Sequence, residues 1–312
     1  MRDVSTPYQF QAEKGSPMIT QASERVQSVL VICVNYHSAE DTQAFVKDLL
    51  GQESPGSLRV IVVDNSDPER LDPRLSSIAE ADPRVRVLHP GGNLGYFGGA
   101  AWALRQHLAG APLTDWIVVS NTDIRFPGRD FLTRLFELYV DATCAVLAPA
   151  IHSTLSLKDQ NPYMLRRPGA ARMCFYKWVF RYYPISVAYQ LMGLVKQKLR
   201  ALTRKIAALV DDGEKMGQPR PRSIYAPHGS VILFSRSYFE AGGSLDHGVF
   251  LFGEEVFVAE TARRLGLTVT YDPRLVVLHR EHATTDMFKN RKMARYVREA
   301  SAYCADKFFR QT

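Results

Sequence analysis

The feature that most narrows the choice of fold is a repeated pattern. Short, continuous apolar runs each end on an amide or carboxylate, and helix-patterned stretches separate them. VLVICVN (29–35) and RVIVVDN (59–65) are β-branched runs of strand length, and between them AEDTQAFVKDLL carries apolar residues at helical spacing before Gly51. Uninterrupted Val and Ile mark strands covered on both faces, as in parallel sheets. RVRVLH (84–89), a helical stretch from Phe97 to Leu108 and WIVVSN (116–121) extend the alternation. The economical reading is an α/β fold with a doubly wound, mostly parallel sheet. A second block, from Ser230 to His282, supplies a strand (SVILFS), a short helical stretch and a Gly-Gly turn. A helix then begins near Glu255 and stops at Gly266, and two short strands, LTVTYD and LVVLH, follow.

Composition removes several classes. Of 312 residues 46% are hydrophobic and 23% charged, the balance of a core-forming protein. The four cysteines (33, 144, 174, 304) form no CxxC pair, which argues against a disulfide scaffold or structural zinc. No uncharged apolar run is long enough to cross a bilayer, and residues 1–27 lack a signal-type apolar segment, so a loose leader and a cytoplasmic, reducing compartment are expected.

The net charge of +7 is concentrated. Within residues 158–222 fourteen Lys and Arg stand against four acids, an excess of ten, so the rest of the chain is net negative. This basic, aromatic insertion contains FYKWVFRYYPISVAYQLMGLVKQKLR, interrupted by Lys177, Arg181 and Pro184. Two readings stay open. Residues 166–205 either lie on an anionic membrane surface, with the protein peripheral at the cytoplasmic face of the inner membrane, or fold as a helical subdomain with its aromatics inward.

In doubly wound sheets ligands bind beyond the carboxyl ends of the strands. Asn35, Asp64, Asn65, Asn121 and Asp123 occupy those ends. Asp64 alone reads equally well as a helix cap. Together with Asn35, Asn93 and Asp123 it points to one shared sheet edge. The loop Asn93-Leu94-Gly95-Tyr96-Phe97-Gly98-Gly99 runs into a helix, so backbone N–H groups can approach a diphosphate. It lacks G-x-G-x-x-G spacing and follows the third strand, which argues against a dinucleotide-binding dehydrogenase. Asp123, in Ser120-Asn121-Thr122-Asp123, offers hard oxygen ligands suited to Mg²⁺ or Mn²⁺. Trp102 and Trp116 read as core.

Taken in order, VNYHS, VVDNS, NLGYFGGA, SNTDI, HGSVILFSRSYFEAGG, FLFGEEVFVAETARRLG and LVVLH resemble inverting family 2 glycosyltransferases of GT-A fold, with the rhamnosyl- and galactofuranosyltransferase-like branch fitting best. The resemblance covers about residues 29–156 and 225–282. It implies that Asn35, Asp64 and Asn65 meet the nucleoside, and that Asn93, Gly95, Tyr96 and Gly99 form the floor under the donor. Asn121-Thr122-Asp123 stands at the family's D-x-D or N-x-D motif, with Asn at the first position, so the cation rests mainly on Asp123. His279 matches the histidine that completes the metal site. Glu254-Glu255 stands where the family has Glu-Asp. Glu255 is then the catalytic base, held ionised by its helix N-terminus, and Glu254 is the fallback.

The implied donor is a dTDP- or UDP-linked sugar, rhamnose first, and the acceptor is a glycan or lipid-linked oligosaccharide. The implied organisation is a leader (1–27), a nucleotide-sugar-binding half (28–157), the insertion (158–222), a catalytic half (223–285) and a terminal helix (286–312). A nucleotidyltransferase would carry a basic Gly-rich loop after the first strand, where this chain has NYHSAED. A non-catalytic relative is the other alternative, suggested by Asn121 and by Glu at 255. Nucleic-acid binding lacks a reader motif.

Overall fold

The computed structural model describes residues 27–138, 141, 143–189, 191–193, 220–281 and 291–310. The leader, most of 194–222 and His282 lie outside the described residues.

Strands β1 (Ser28–Asn35), β2 (Ser57–Asp64), β3 (Val85–Leu88) and β4 (Trp116–Ser120) pair in parallel in the order β3-β2-β1-β4. Their unbroken apolar sequences follow from cover on both faces. Leu30 and Ile32 enter one hydrophobic cluster, while Val29, Val31 and Cys33 enter the other. Helices α1 (Ala39–Leu50) and α2 (Pro73–Ala81) seal the second face with Phe45, Val46, Leu49, Leu75 and Ile78. Helix α3 (Tyr96–Leu108) seals the first with Phe97, Ala100 and Leu104. Each fully buried side chain of this size contributes about 1.5–3 kcal/mol.

The second half continues the same sheet with mixed direction. Short β5 (Ile124–Arg125) and helix α4 (Phe131–Glu137) lead into β6 (Cys144–Ser153). After α5 (Ala170–Arg181) come β7 (Arg222–Ile224), β8 (Val231–Ser235), α6 (Arg236–Glu240), α7 (Glu254–Arg264), β9 (Thr268–His279) and α8 (Arg291–Phe308). β8 runs antiparallel to both β4 and β6, whereas β6 and β9 are parallel.

Two expectations change. The two short strands expected after α7 are one strand, β9, with a register shift where Pro149/Ala150 face Asp272 and Val276. Pro273 cannot donate to a ladder, and Asp272 instead accepts the Arg274 backbone N–H at 3.0 Å, so the strand bulges and resumes. β6, to which the sequence pattern assigns no element, is buried between β8 and β9.

The described part of the insertion packs α5 on α8. Lys177 Nζ meets Asp306 at 2.6 Å, and Arg167 reaches buried Glu260 at 2.6 Å while its guanidinium lies over Phe309. Met173 and Val179 are buried, whereas Phe175, Trp178 and Tyr182 stay about half exposed. Trp116 is core, and Trp102 packs at the core margin. Among the described residues no helix is long and apolar enough to cross a membrane.

Candidate active site

Asn35, at the end of β1, organises the first corner. Its Nδ2 donates to Asp64 Oδ1 at 2.8 Å, and its Oδ1 accepts from the Ser38 N–H (3.1 Å) and the Thr42 hydroxyl (2.9 Å). Asp64 Oδ1 also accepts the Ser66 N–H at 3.0 Å. Its other oxygen is buried without a hydrogen-bond partner, with His89 Nδ1 3.5 Å away. A buried carboxylate oxygen left bare is costly, so the corner is built for a donor from outside.

Asn65 Nδ2 donates to the Gly95 carbonyl at 2.8 Å, joining β2 to the glycine loop, and Asn65 Oδ1 is likewise buried and bare. Asn93 Oδ1 accepts the Gly95 N–H at 2.9 Å and shapes the turn. At Gly95 φ is +77°, and a Cβ would sit 1.9 Å from the Phe250 carbonyl oxygen, so only glycine lets the loop pass this close. Gly99 packs its backbone on the Asn65 amide. Asn65, Asn93, Gly95 and Tyr96, with Tyr36 and Lys292, line a cleft of about 200 Å³.

β4 ends in Ser120, and Asn121 N–H donates to the Ser230 carbonyl at 2.8 Å, so the metal-motif position is clamped to β8. Asp123 Oδ2 lies 3.3 Å from His279 Nε2, brought there by the β5–β9 pairing, and Asp123 Oδ1 is buried without a partner. The tautomer of His279 can be worked out. Its Nδ1 is 2.7 Å from Gln160 Oε1, and the Gln160 amide nitrogen donates to Glu281, whose Oε2 accepts the Ser153 hydroxyl at 2.7 Å. A carboxylate only accepts, so Gln160 presents its oxygen to the ring, and Nδ1 must carry the hydrogen. Nε2 then faces Asp123 as a lone pair, or as the proton of an imidazolium. In both states one positive charge belongs between the two side chains.

An aspartate and a histidine whose second nitrogen is held by an outer partner are both groups that can ligate a divalent cation. Among the described residues no third His, Cys, Asp or Glu joins the pair. A cation held by this pair would need further ligands from outside these side chains.

Gly253, at φ +83°, starts α7, and Glu254 and Glu255 occupy its first turn. They diverge as consecutive helical residues must. Glu254 is 5% exposed, and its Oε1 accepts the Phe252 N–H at 3.1 Å. Glu255 lies against the Gly229 backbone and faces a cavity of about 360 Å³ lined by Tyr163, Tyr176, Phe180 and Cys304. The helix N-terminus does not act alone on these two acids. Burial, then repulsion by Glu255, pushes Glu254 up to about 8. Burial raises Glu255 as well, against the Glu255 and Gly229 backbone N–H groups. Desolvation outweighs the helix dipole here.

Tyr96 ties the parts together. Its hydroxyl is buried without a partner, and its pKa is raised by burial and by the charges of Glu254, Asp123 and Glu255. Tyr96 lines the cleft beside Asn65 and Gly95 and lies within electrostatic reach of Asp123, Glu254 and Glu255. The sequence pattern did not reveal Gln160, Glu281 or Tyr163, and it singled out His228 only as a lesser candidate without a role. His228, held near pKa 4 by burial and then by His279, stacks edge-on with His279 at 5.8 Å. Asn161 Oδ1 accepts the His228 N–H across 67 residues, and the Ser230 hydroxyl and the Tyr163 ring hold the imidazole in place.

Residues 28–202, more than half of the chain, match the family described as Glycosyl transferase family 2. The chain belongs to that family. The low-salt glycan biosynthesis hexosyltransferase Agl10 of Haloferax volcanii is 25% identical over 83% of this chain and 69% of its own length. The N-acetylglucosaminyl-diphospho-decaprenol L-rhamnosyltransferase of Mycobacterium tuberculosis is 24% identical over 89% of this chain and 84% of its own. A crystal structure of GalNAc-T7 with UDP, GalNAc and Mn²⁺ superposes with a TM-score of 0.54 at 13% identity. The match covers 84% of this chain and 45% of that one, so the likeness concerns the fold, which is GT-A. As a family 2 glycosyltransferase of GT-A fold, the chain is an enzyme of sugar transfer.

Proposed function

We propose that this glycosyltransferase moves a sugar, rhamnose first, from a dTDP- or UDP-linked donor to a hydroxyl of a glycan on a lipid-linked acceptor, by direct displacement with inversion at the cytoplasmic membrane face. The bare Asp123 oxygen beside His279, together with Glu255 facing an aromatic cavity, carries the reading. Asp64 suits a pyrimidine, because thymine and uracil both present an imino N–H that its unpartnered Oδ2 can accept. Asn65 and the Gly95 turn support the ribose and diphosphate side of the cleft. Asp123 and His279 would hold Mg²⁺ or Mn²⁺. When bound, the cation offsets charge building on the departing nucleoside diphosphate.

Glu255 takes the proton from the acceptor hydroxyl as that oxygen attacks the anomeric carbon. Asp123 is committed to His279, and Glu254 is turned to the Phe252 N–H. One base then faces the acceptor cavity, as single displacement requires. A retaining route needs a carboxylate nucleophile on the opposite face. Glu255→Gln tests the assignment. Transfer from dTDP-rhamnose or a UDP-sugar should fall by at least about a thousandfold with nucleotide binding unchanged, and the wild-type product should carry the inverted anomer by NMR. A retained anomer, or an active Glu255→Gln enzyme, would contradict it.

A further inference from the structure

Beside the cavity at Glu255, along α8, lies a second hollow of about 390 Å³ that the reaction just described does not use. The two share Phe180. The first is walled by apolar and aromatic groups. The second is ringed by Arg181, Arg291, Arg295 and Arg298. Of these four, only Arg295 has an acidic partner among the described residues, Glu299 at 3.0 Å. Like charges of this density repel one another, and guanidinium forks match phosphate oxygens in pairs, so the arrangement fits a polyvalent oxyanion.

Spacing along the helix adds a constraint. Ser301 and Cys304 border the first cavity and Arg291 and Arg295 the second, while the adjacent Val297 and Arg298 border one each, so the two hollows meet along α8. Tyr163, Tyr176 and Phe180 give the ring apolar faces to lie against. On α5, Arg181 falls between the face that lines the cavity (Tyr176, Phe180) and the exposed aromatic face (Phe175, Trp178). It therefore marks a boundary between the cleft and a surface suited to lipid.

We infer that the cleft between α5 and α8 is the acceptor site, and that its arginines bind the phosphate linking the acceptor sugar to its lipid. This rests on Glu255 as the base of the proposed transfer and names the acceptor's class, a phosphate-linked isoprenoid glycoside. The sugar lies against Tyr163 and Tyr176 with its hydroxyl at Glu255, the phosphate lies between Arg295, Arg298 and Arg181, and the chain leaves past α5.

Farnesyl diphosphate and farnesol are the probes, titrated calorimetrically into the full chain in EDTA so that the metal-dependent donor cleft does not compete. The wild type should bind farnesyl diphosphate at least tenfold more tightly than farnesol. Arg295→Ala/Arg298→Ala should lose at least tenfold for the diphosphate and nothing for farnesol. Both arginines are exposed, so the Tm should hold. Arg298→Gln alone, losing severalfold, serves if the double variant is unstable. Unchanged affinity for farnesyl diphosphate in these variants overturns the proposal. So does loss of binding to phosphatidylglycerol vesicles with farnesyl diphosphate binding intact, which would assign the arginines to the bilayer. Glu255→Gln should bind farnesyl diphosphate normally. If it also transfers sugar normally, the base assignment fails while the binding result still judges the phosphate site.

Discussion

Replacing Glu254 by glutamine isolates what its charge does to Glu255. In the wild type Glu254 is pushed up to about 8 by burial and by its neighbour. At pH 7 about one molecule in ten then has Glu254 ionised, and at pH 9 about nine in ten. With both carboxylates needed as anions, kcat/KM should rise at least roughly tenfold between those values. Two like charges a few ångströms apart, at an effective dielectric near 20, repel by about 2–3 kcal/mol. Removing one should bring the rise in the Glu254→Gln profile down by about 1–2 pH units. Glutamine can keep accepting the Phe252 N–H, so the turn survives. The assay is kcat/KM from nucleoside diphosphate release between pH 5.5 and 9.5. A profile that does not move refutes the coupling. A folded Glu254→Gln enzyme, inactive throughout, would make Glu254 the base. The sign for stability is also fixed. An acid with its pKa raised on folding, from 4.5 unfolded to about 8, loses stability as pH rises through that window, so Glu254→Gln should raise Tm more at pH 8.5 than at pH 5.

Gln160→Leu removes the oxygen that fixes the His279 tautomer and should weaken Mn²⁺ binding, read by electron paramagnetic resonance, by about 10–100-fold with little change in Tm. Gly95→Ala drives a Cβ into the Phe250 carbonyl at a glycine-only φ and should cost about 2–4 kcal/mol or abolish nucleotide binding, seen by chemical unfolding and calorimetry. Arg167→Ala leaves Glu260, 0% exposed, with Arg263 and Tyr225 alone, and should destabilise the fold by about 1–3 kcal/mol in urea. If Arg167 instead serves a nucleic acid, its loss should leave stability unchanged.

Much of this was legible in the residues because buried parallel strands write themselves as unbroken Val and Ile. Strands β1, β2 and β4 and helices α3 and α7 lie where the sequence pattern puts them, within a residue or two. β6 escaped because CAVLAPAIHS has a proline in its middle, and that proline's missing donor is absorbed only by a bulge facing β9. Local sequence carries no trace of such a pairing. Asp123 and His279 were readable through motif order, and the structure places them 3.3 Å apart. Gln160 and Glu281 were not, since a loop glutamine gains a role only when β5 pairs with β9. Nor could sequence foresee the raised Glu254 and Glu255, because desolvation depends on cover from Gly229, Phe252 and the α5–α8 wall.

The account stands or falls on nucleotide and cation meeting at Asp64, Asp123 and His279. Calorimetric titration of dTDP and UDP, with and without Mn²⁺, into wild type, Asp64→Asn and Asp123→Asn tests this directly. The wild type should bind at least tenfold more tightly with Mn²⁺. Asp123→Asn should lose the Mn²⁺ increment alone, and Asp64→Asn should weaken binding in both conditions. Nucleotide binding indifferent to Mn²⁺ and to both substitutions would mean that the donor site lies elsewhere.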